Sequence, residues 1–259
     1  MKKKLLCLLA GLFLLFASPA YAQEQTGQLL SMLPGTNPPG ACVQEMPLGS
    51  MAADAVLACC GGDVVILNGG DITGNLQAGE IRKTDLQVAF SRERELVKLT
   101  VSREDILSLL EQGFSLVSVG ADDRVDVSAS IYEGFPQVAG MNVVFDASCQ
   151  PGERVQSLEI LSASEKDTFT LICTRYMAEG GYGYPRLEDY ESCGETLLSA
   201  LEEYCLGRIV QPLEEGRIRM IGTADDTLLK DFPKGIFILV AVALAVLALL
   251  KPKRPYLND

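Results

Sequence analysis

Two apolar runs, one at each end, decide how much of this 259-residue chain is free to build a folded core. The first, residues 5–17, follows Met1-Lys2-Lys3-Lys4 and leads into Ser18-Pro19-Ala20-Tyr21-Ala22-Gln23. A basic start, an apolar stretch and an Ala-x-Ala site form the pattern of a secretory signal peptide, cut here after Ala22. The second run, residues 235–250, carries no polar side chain. As a helix it spans roughly 24 Å, a little short of a ~30 Å hydrocarbon core, and the flanking Lys234 and Lys251 snorkel to make up part of the difference. Lys251, Lys253 and Arg254 form a basic cluster that belongs on the cytoplasmic side. The chain is therefore expected to divide into a signal peptide (1–22), a linker (23–41), one domain outside the cell (42–222), a juxtamembrane linker (223–234), a transmembrane helix (235–250) and a cytoplasmic tail (251–259).

The stretch between the two runs, about 210 residues, suffices for one core. It must work without imidazole, because the sequence holds no histidine. That removes the usual general base, the usual partner of a Ser or Cys nucleophile and the commonest metal ligand. Neither an Asp-x-Asp pair nor a P-loop offers a carboxylate or phosphate-cradling substitute. A net charge of −12 makes a phosphate-tracking face, and hence nucleic-acid binding, unexpected. Of eight cysteines, Cys7 leaves with the signal peptide. Cys42, Cys59, Cys60, Cys149, Cys173, Cys193 and Cys205 remain, an odd set for which export permits disulfides. No C-x-x-C spacing occurs, and the adjacent Cys59-Cys60 suit a helix end with one thiol buried better than a zinc site.

Residues 51–60 are Ala-rich and read as a buried helix with Ser50 as N-cap. Val64-Val65-Ile66-Leu67 reads as a central strand, followed by a tight loop at Asn68-Gly69-Gly70-Asp71. A short helix is expected over 84–88 and a half-buried strand over 95–101. Ser102 and Asp105 frame a helix running to Glu111 and closed by Gly113. Strands are expected at 137–145, 155–161, 168–174 and 218–221, and a helix at 195–205. The spacing is irregular and lacks the even βαβ rhythm of a dinucleotide-binding unit. The fold class is mixed α/β (α+β): a single domain with a mixed β-sheet and flanking helices.

Several short stretches carry a resemblance. They are Glu45-Met46-Pro47-Leu48-Gly49 with Ala53-Asp54-Ala55, Ile66-Leu67-Asn68-Gly69-Gly70, Ala78-Gly79-Glu80-Ile81 with Asp85-Leu86, and Phe135-Pro136-Gln137-Val138-Ala139-Gly140-Met141. Pro151-Gly152-Glu153-Arg154-Val155, Glu179-Gly180-Gly181-Tyr182-Gly183-Tyr184 and Glu215-Gly216-Arg217-Ile218 follow. In this order, over about 175 residues, they resemble the C-terminal domain of the secreted 5′-nucleotidase family. The resemblance implies that domain's fold and a role in binding nucleosides or nucleotides. In the family a preceding metallophosphatase domain holds two metal ions, which clamp water and phosphate for in-line attack. The linker has no room for it here. No cofactor is therefore expected in this chain, with divalent metals confined to a separately encoded metallophosphatase partner. By itself the chain is expected to be inactive.

The family's site stacks a base between two aromatic rings and sets arginines on ribose and phosphate. Position by position, the resemblance places Tyr184 at one ring. Arg92 falls in place of the other, within Phe90-Ser91-Arg92-Glu93. Thr73 replaces a loop arginine, Asp71 a loop glycine, and Cys42 a further arginine; a carboxylate at Asp71 should repel phosphate. Asn68 is retained and can bond a base edge. The expected substrate-binding set is thus Asn68, Gly69, Gly70, Arg92, Gly181 and Tyr184, with no catalytic and no metal-binding residue. Each has a structural alternative. The Asn68-Gly69-Gly70 turn can require positive φ, the glycines at 180, 181 and 183 can be turn residues, and Tyr184 can be core. Asp54 reads as a hydrogen-bond partner rather than a catalyst, and Glu188-Asp189 as solvated surface. Two functions follow: a membrane-anchored nucleoside- or nucleotide-binding domain of a nucleotide-hydrolysing system, or a surface interaction module that has lost its ligand.

Overall fold

A run of five buried residues, Val64–Asn68 (β2), fixes the layer structure. Successive side chains of a strand point to opposite faces. Val65 and Leu67 enter one apolar cluster, and Val64 and Ile66 enter another. A strand buried on both faces belongs in the middle of a sheet with layers on either side. In the computed structural model, which describes residues 25–37, 40–162, 166–211 and 216–224, that sheet has five strands. Their order is β5 (Pro136–Ala139), β2, β8 (Thr168–Thr174), β4 (Glu95–Ser102), β9 (Glu191–Thr196). β2 runs parallel to β8, and the other neighbouring pairs are antiparallel.

On one face lie α1 (Pro47–Cys60) and α6 (Leu197–Cys205), with the short α2 (Lys83–Ala89). Ala52, Ala53 and Ala55 are buried and let α1 approach the sheet and α6 closely. A three-stranded sheet flanks this layer, ordered β10 (Ile209–Val210), β1 (Gly27–Leu29), β3 (Gly79–Ile81). On the other face lies α3 (Arg103–Phe114) with a second three-stranded sheet, ordered β11 (Ile218–Ile221), β6 (Met141–Asp146), β7 (Val155–Ile160). Phe114 and Phe145 stack there at 4.1 Å between centroids. Val97, Leu99 and Val101 of β4 fill the same cluster, as their alternation requires. Two short helices, α4 (Val127–Ser130) and α5 (Arg175–Ala178), shape the loops.

The expected class, a single mixed α/β domain with flanking helices, is what the described residues form, with the strands in three sheets rather than the one expected. Several boundaries differ. The segment 23–41 is not a plain linker: β1 pairs with β10 and β3, and Leu29 and Leu33 are buried. Its Pro and Gly content hid those two leucines. α1 begins at Pro47, with Met46 as N-cap and no side-chain cap. Ser50 instead donates its hydroxyl proton to Glu45 Oε1 at 2.8 Å. Cys59 and Cys60 do close α1, but both are half-buried. The Ser102–Asp105 capping box is present, yet α3 continues through Gly113 to Phe114. A Cβ at Gly113 would sit 2.7 Å from Tyr184 Oη, so this glycine serves packing rather than termination. β9, which is polar and has no buried residue, escaped the hydrophobic pattern. Asp54 forms a two-pronged ion pair with Arg217 (2.7 and 2.8 Å), and Glu188 and Asp189 are exposed. The expected signal peptide, transmembrane helix and cytoplasmic tail lie outside the described residues, as does nearly all of the juxtamembrane linker. No helix among the described residues is long and apolar enough to cross a membrane.

The expected strand 137–145 is two strands in two sheets. Gly140 breaks it at φ +74°, a conformation L side chains rarely adopt. The turn brings its Cα so near β2 that a Cβ would lie 2.1 Å from Asp63 O. Gly140→Ala is therefore expected to destabilise the fold by on the order of 3 kcal/mol, summing left-handed strain and backbone clash. Urea unfolding monitored by circular dichroism checks this, and a loss under about 1 kcal/mol contradicts it.

Candidate functional site

Strand directions collect the loops. β2 and β8 are parallel and end at the same edge of the central sheet. Asn68, at the end of β2, faces Pro136 at the start of β5. Thr174, at the end of β8, faces Leu96 near the start of β4. The turns after β2 and β8 and those before β4 and β5 therefore meet at the carboxyl ends of the parallel pair, where open α/β sheets bind ligands.

The turn Gly69–Asp71 is one turn of 3-10 helix. Neither Gly69 nor Gly70 has a positive φ. Their lack of a side chain is needed for close approach: a Cβ at Gly69 would lie 1.9 Å from Ala41 O, and one at Gly70 2.5 Å from Glu133 Cβ. Their amides donate to Phe135 O (2.7 Å) and Glu133 O (2.8 Å), which clamps the turn onto the 132–135 loop.

That clamp delivers Asp71 to the interior. The residue is 1% exposed, and its Oδ1 accepts from Arg94 Nε at 2.7 Å and from the Tyr182 hydroxyl at 3.2 Å. The Tyr182 hydroxyl in turn accepts from Arg92 Nη1 and, at 3.3 Å, from Arg94 Nη2. Arg92 Nη2 donates to Glu133 Oε1 at 2.7 Å. The Arg94 guanidinium lies 4.2 Å from the Tyr176 ring centroid, and the Tyr176 and Tyr182 rings meet edge-on at 4.9 Å. Burial pushes the Asp71 carboxyl above its ordinary value against the pull of Arg94 and Tyr182. The hydrogen bond from Arg92 holds Glu133 below its own. Cys42 sits beside these groups, its thiol raised by burial and then by the Glu133 charge.

Asn68 is the exception in this network. It is 0% exposed, and neither Oδ1 nor Nδ2 has a hydrogen-bond partner among the described residues. Asp71 Oδ2 shares that condition. Buried amides are nearly always paired, so an orphaned one calls for an explanation.

Of the expected site residues, Asn68, Gly69, Gly70, Arg92 and Gly181 do gather at this edge. Gly181 lacks the Cβ that would strike the Tyr176 ring at 2.3 Å, whereas Gly180 and Gly183 are turn residues at φ +94° and +77°. Tyr184 differs from expectation. It is 3% exposed, packs in the second core and donates to Gly134 O at 2.8 Å, so it offers no face to a ligand. Tyr182, two residues earlier and half-buried, is the tyrosine of this turn that joins the Asp71, Arg92 and Arg94 network. Asp71 is also not a bare repelling charge, since Arg94 engages it. Thr73 is tied to the backbone, donating to Val88 O at 3.0 Å and accepting from Ser91 N at 3.0 Å. Sequence reasoning missed Arg94, Glu133 and Tyr176. Arg94 was within reach, because residues i and i+2 of an extended segment share a face and Arg92 had been singled out. Among the described residues, no three acidic or cysteine side chains converge as a metal's ligands would.

The model of the 5′-nucleotidase C-terminal domain family matches residues 29–189 of this chain. The chain belongs to that family. Among curated relatives of this 5′-nucleotidase domain, the trifunctional nucleotide phosphoesterase protein YfkN of Bacillus subtilis is 28% identical over 200 residues. That alignment covers 69% of this chain and 12% of the relative. The human 5′-nucleotidase is 27% identical over 99 residues, 33% of this chain and 17% of the relative. The chain thus spans less than a fifth of the length of either. Among solved structures, the 5′-nucleotidase precursor of Thermus thermophilus superposes with a TM-score of 0.66 at 21% identity, over 85% of this chain and 43% of that one. The NAD nucleotidase NadN of Haemophilus influenzae gives 0.61 at 16%, over 77% and 38%. These likenesses establish a shared fold.

If the Asn68 amide is kept for a ligand rather than for the fold, removing it costs the free protein nothing. Asn68→Leu, a near-isosteric apolar replacement, is expected to leave the thermal midpoint unchanged or raise it. A drop of more than about 3 °C in scanning calorimetry, roughly 1 kcal/mol for a domain of this size, contradicts this reading.

Proposed function

We propose that this domain is the nucleoside-binding part of a nucleotide-hydrolysing system, held on the outer face of the cell membrane by residues 235–250. A separately encoded metallophosphatase supplies the metal ions and cuts the phosphate, and this chain alone hydrolyses nothing. The observation that carries the reading is the orphaned Asn68 amide at the edge where Tyr182, Tyr176, Arg92 and Arg94 meet. An amide with a free donor and a free acceptor complements the donor–acceptor edge of a base. The tyrosine pair supplies ring surface for stacking. Family membership gives the reading its chemical class.

The charges favour the nucleoside over its phosphate. Asp71 and Glu133 offset Arg94 and Arg92, and both guanidinium groups are engaged. A phosphate would have to displace a carboxylate to gain an arginine, whereas an uncharged ligand displaces none. The same ion pairs favour a second reading, in which the site is closed for good and the domain serves only as a surface interaction module.

Isothermal titration of the purified full chain separates the two. Adenosine is expected to bind, with AMP no tighter, and Tyr182→Ala is expected to weaken adenosine at least tenfold by removing a stacking ring. Asp71→Asn releases Arg94 and is expected to tighten AMP relative to adenosine by about tenfold, the worth of one charge-assisted bond. The absence of heat at millimolar adenosine with folded protein supports the interaction module instead. AMP turnover that copurifies with the chain refutes the division of labour.

A further inference from the structure

Of the seven cysteines among the described residues, all present as thiols, one pair is placed unlike the rest. Cys60 is the last residue of α1. Cys193 lies where β9 leaves its register with β4: Val97 pairs with Ser192 and Glu95 with Thr196, so β9 carries two extra residues across a bulge. Both side chains are half-buried against the same α1–α6 core, where the two thiols are neighbours. The other cysteines are committed elsewhere. Cys59 donates to Glu203 Oε2 at 3.6 Å, and Cys205 contacts Met51 Sδ at 3.9 Å. Cys173 is buried in the opposite core, Cys149 neighbours Gln156, and Cys42 belongs to the ligand edge. Cys59 also touches Cys60. Adjacent Cα atoms are about 3.8 Å apart, however, closer than the roughly 4.4–6.8 Å that protein disulfides span.

We propose that Cys60 and Cys193 join as a disulfide in an oxidising compartment, fastening the edge strand β9 to the end of α1. The oxidant is a donor disulfide, either that of a thiol oxidoreductase or a small-molecule disulfide. The thiolate of Cys193 attacks one donor sulfur, forming a mixed disulfide and expelling the first donor thiolate. The thiolate of Cys60 then attacks the Cys193 sulfur and expels the second. The protein loses two electrons and two protons, and the donor leaves as two thiols. Burial raises both thiols, but at Cys193 the hydrogen bond with Cys60 and then the Lys98 charge offset part of the rise, whereas at Cys60 every neighbour adds to it, so Cys193 is the better first attacker. The bond would hold the strand into which the Tyr182 loop runs, at a sheet edge that otherwise ends in exposed, polar β9.

The test uses the full chain, incubated with oxidised glutathione, alkylated with N-ethylmaleimide under denaturing conditions and mapped by mass spectrometry. A crosslink is expected between the peptide holding Cys59-Cys60 and the one holding Cys193, and it should persist in a Cys59→Ser chain. Alkylation of both Cys60 and Cys193, or a crosslink lost in Cys59→Ser, overturns the proposal. Reductant should lower the thermal midpoint of the oxidised wild type by about 5–10 °C and leave that of Cys193→Ala unmoved. Equal wild-type midpoints in both redox states overturn the fastening role. Neither readout involves nucleoside, so this test fails or succeeds independently of the ligand reading.

Discussion

The parallel pairing of β2 with β8 is the constraint on which the architecture rests. Because both strands end at one edge, every loop that carries a polar side chain of interest is delivered there. Because β2 is buried on both faces, neither strand can slip by one residue without moving Val65 and Leu67 from one core to the other. The register that packs the core is therefore the register that aligns Asn68 with Pro136 and sets the Gly69–Asp71 turn against Glu133.

At that edge, burial and charge neutralisation act together. Asp71 goes inside only because Arg94 follows it, and Arg94 is held by the Tyr176 face and the Tyr182 hydroxyl. Tyr182 itself sits at φ +55°, with its carbonyl accepting from the Tyr132 hydroxyl. A non-glycine residue in that conformation persists where its surroundings over-determine it, and here two arginines, a carboxylate and a tyrosine do so. The resulting network is satisfied almost throughout. Asn68 and one oxygen of Asp71 stand out against it for that reason.

Much of the scaffold could be read from residue patterns. The alternation in 95–101 gave β4, the Ser102–Asp105 box gave the start of α3, and 168–174 and 218–221 were strands with those bounds. Failures came where the local pattern was ambiguous. Gly140 interrupts an apolar run that periodicity alone reads as one strand. The Pro- and Gly-rich 23–41 segment hides two core leucines, and β9 pairs through its backbone with little apolar signal. At the site, Asn68, Gly69, Gly70, Arg92 and Gly181 were legible as a group only through resemblance to the 5′-nucleotidase domain.

The sequence by itself determined which residue types are available: no imidazole, two arginines two apart before β4, two tyrosines in a glycine-rich turn, and a double glycine after a buried strand. These are local properties, set by spacing and composition. Only the tertiary structure decided which tyrosine faces the site and which is core, because Tyr184 is claimed by the space Gly113 leaves open while Tyr182 is turned outward by its backbone. It alone also decided that Asp71 is answered by Arg94, and that Cys60 meets Cys193. Such pairings depend on contacts between residues far apart in the chain, fixed by sheet order and register, which one-dimensional periodicity does not encode.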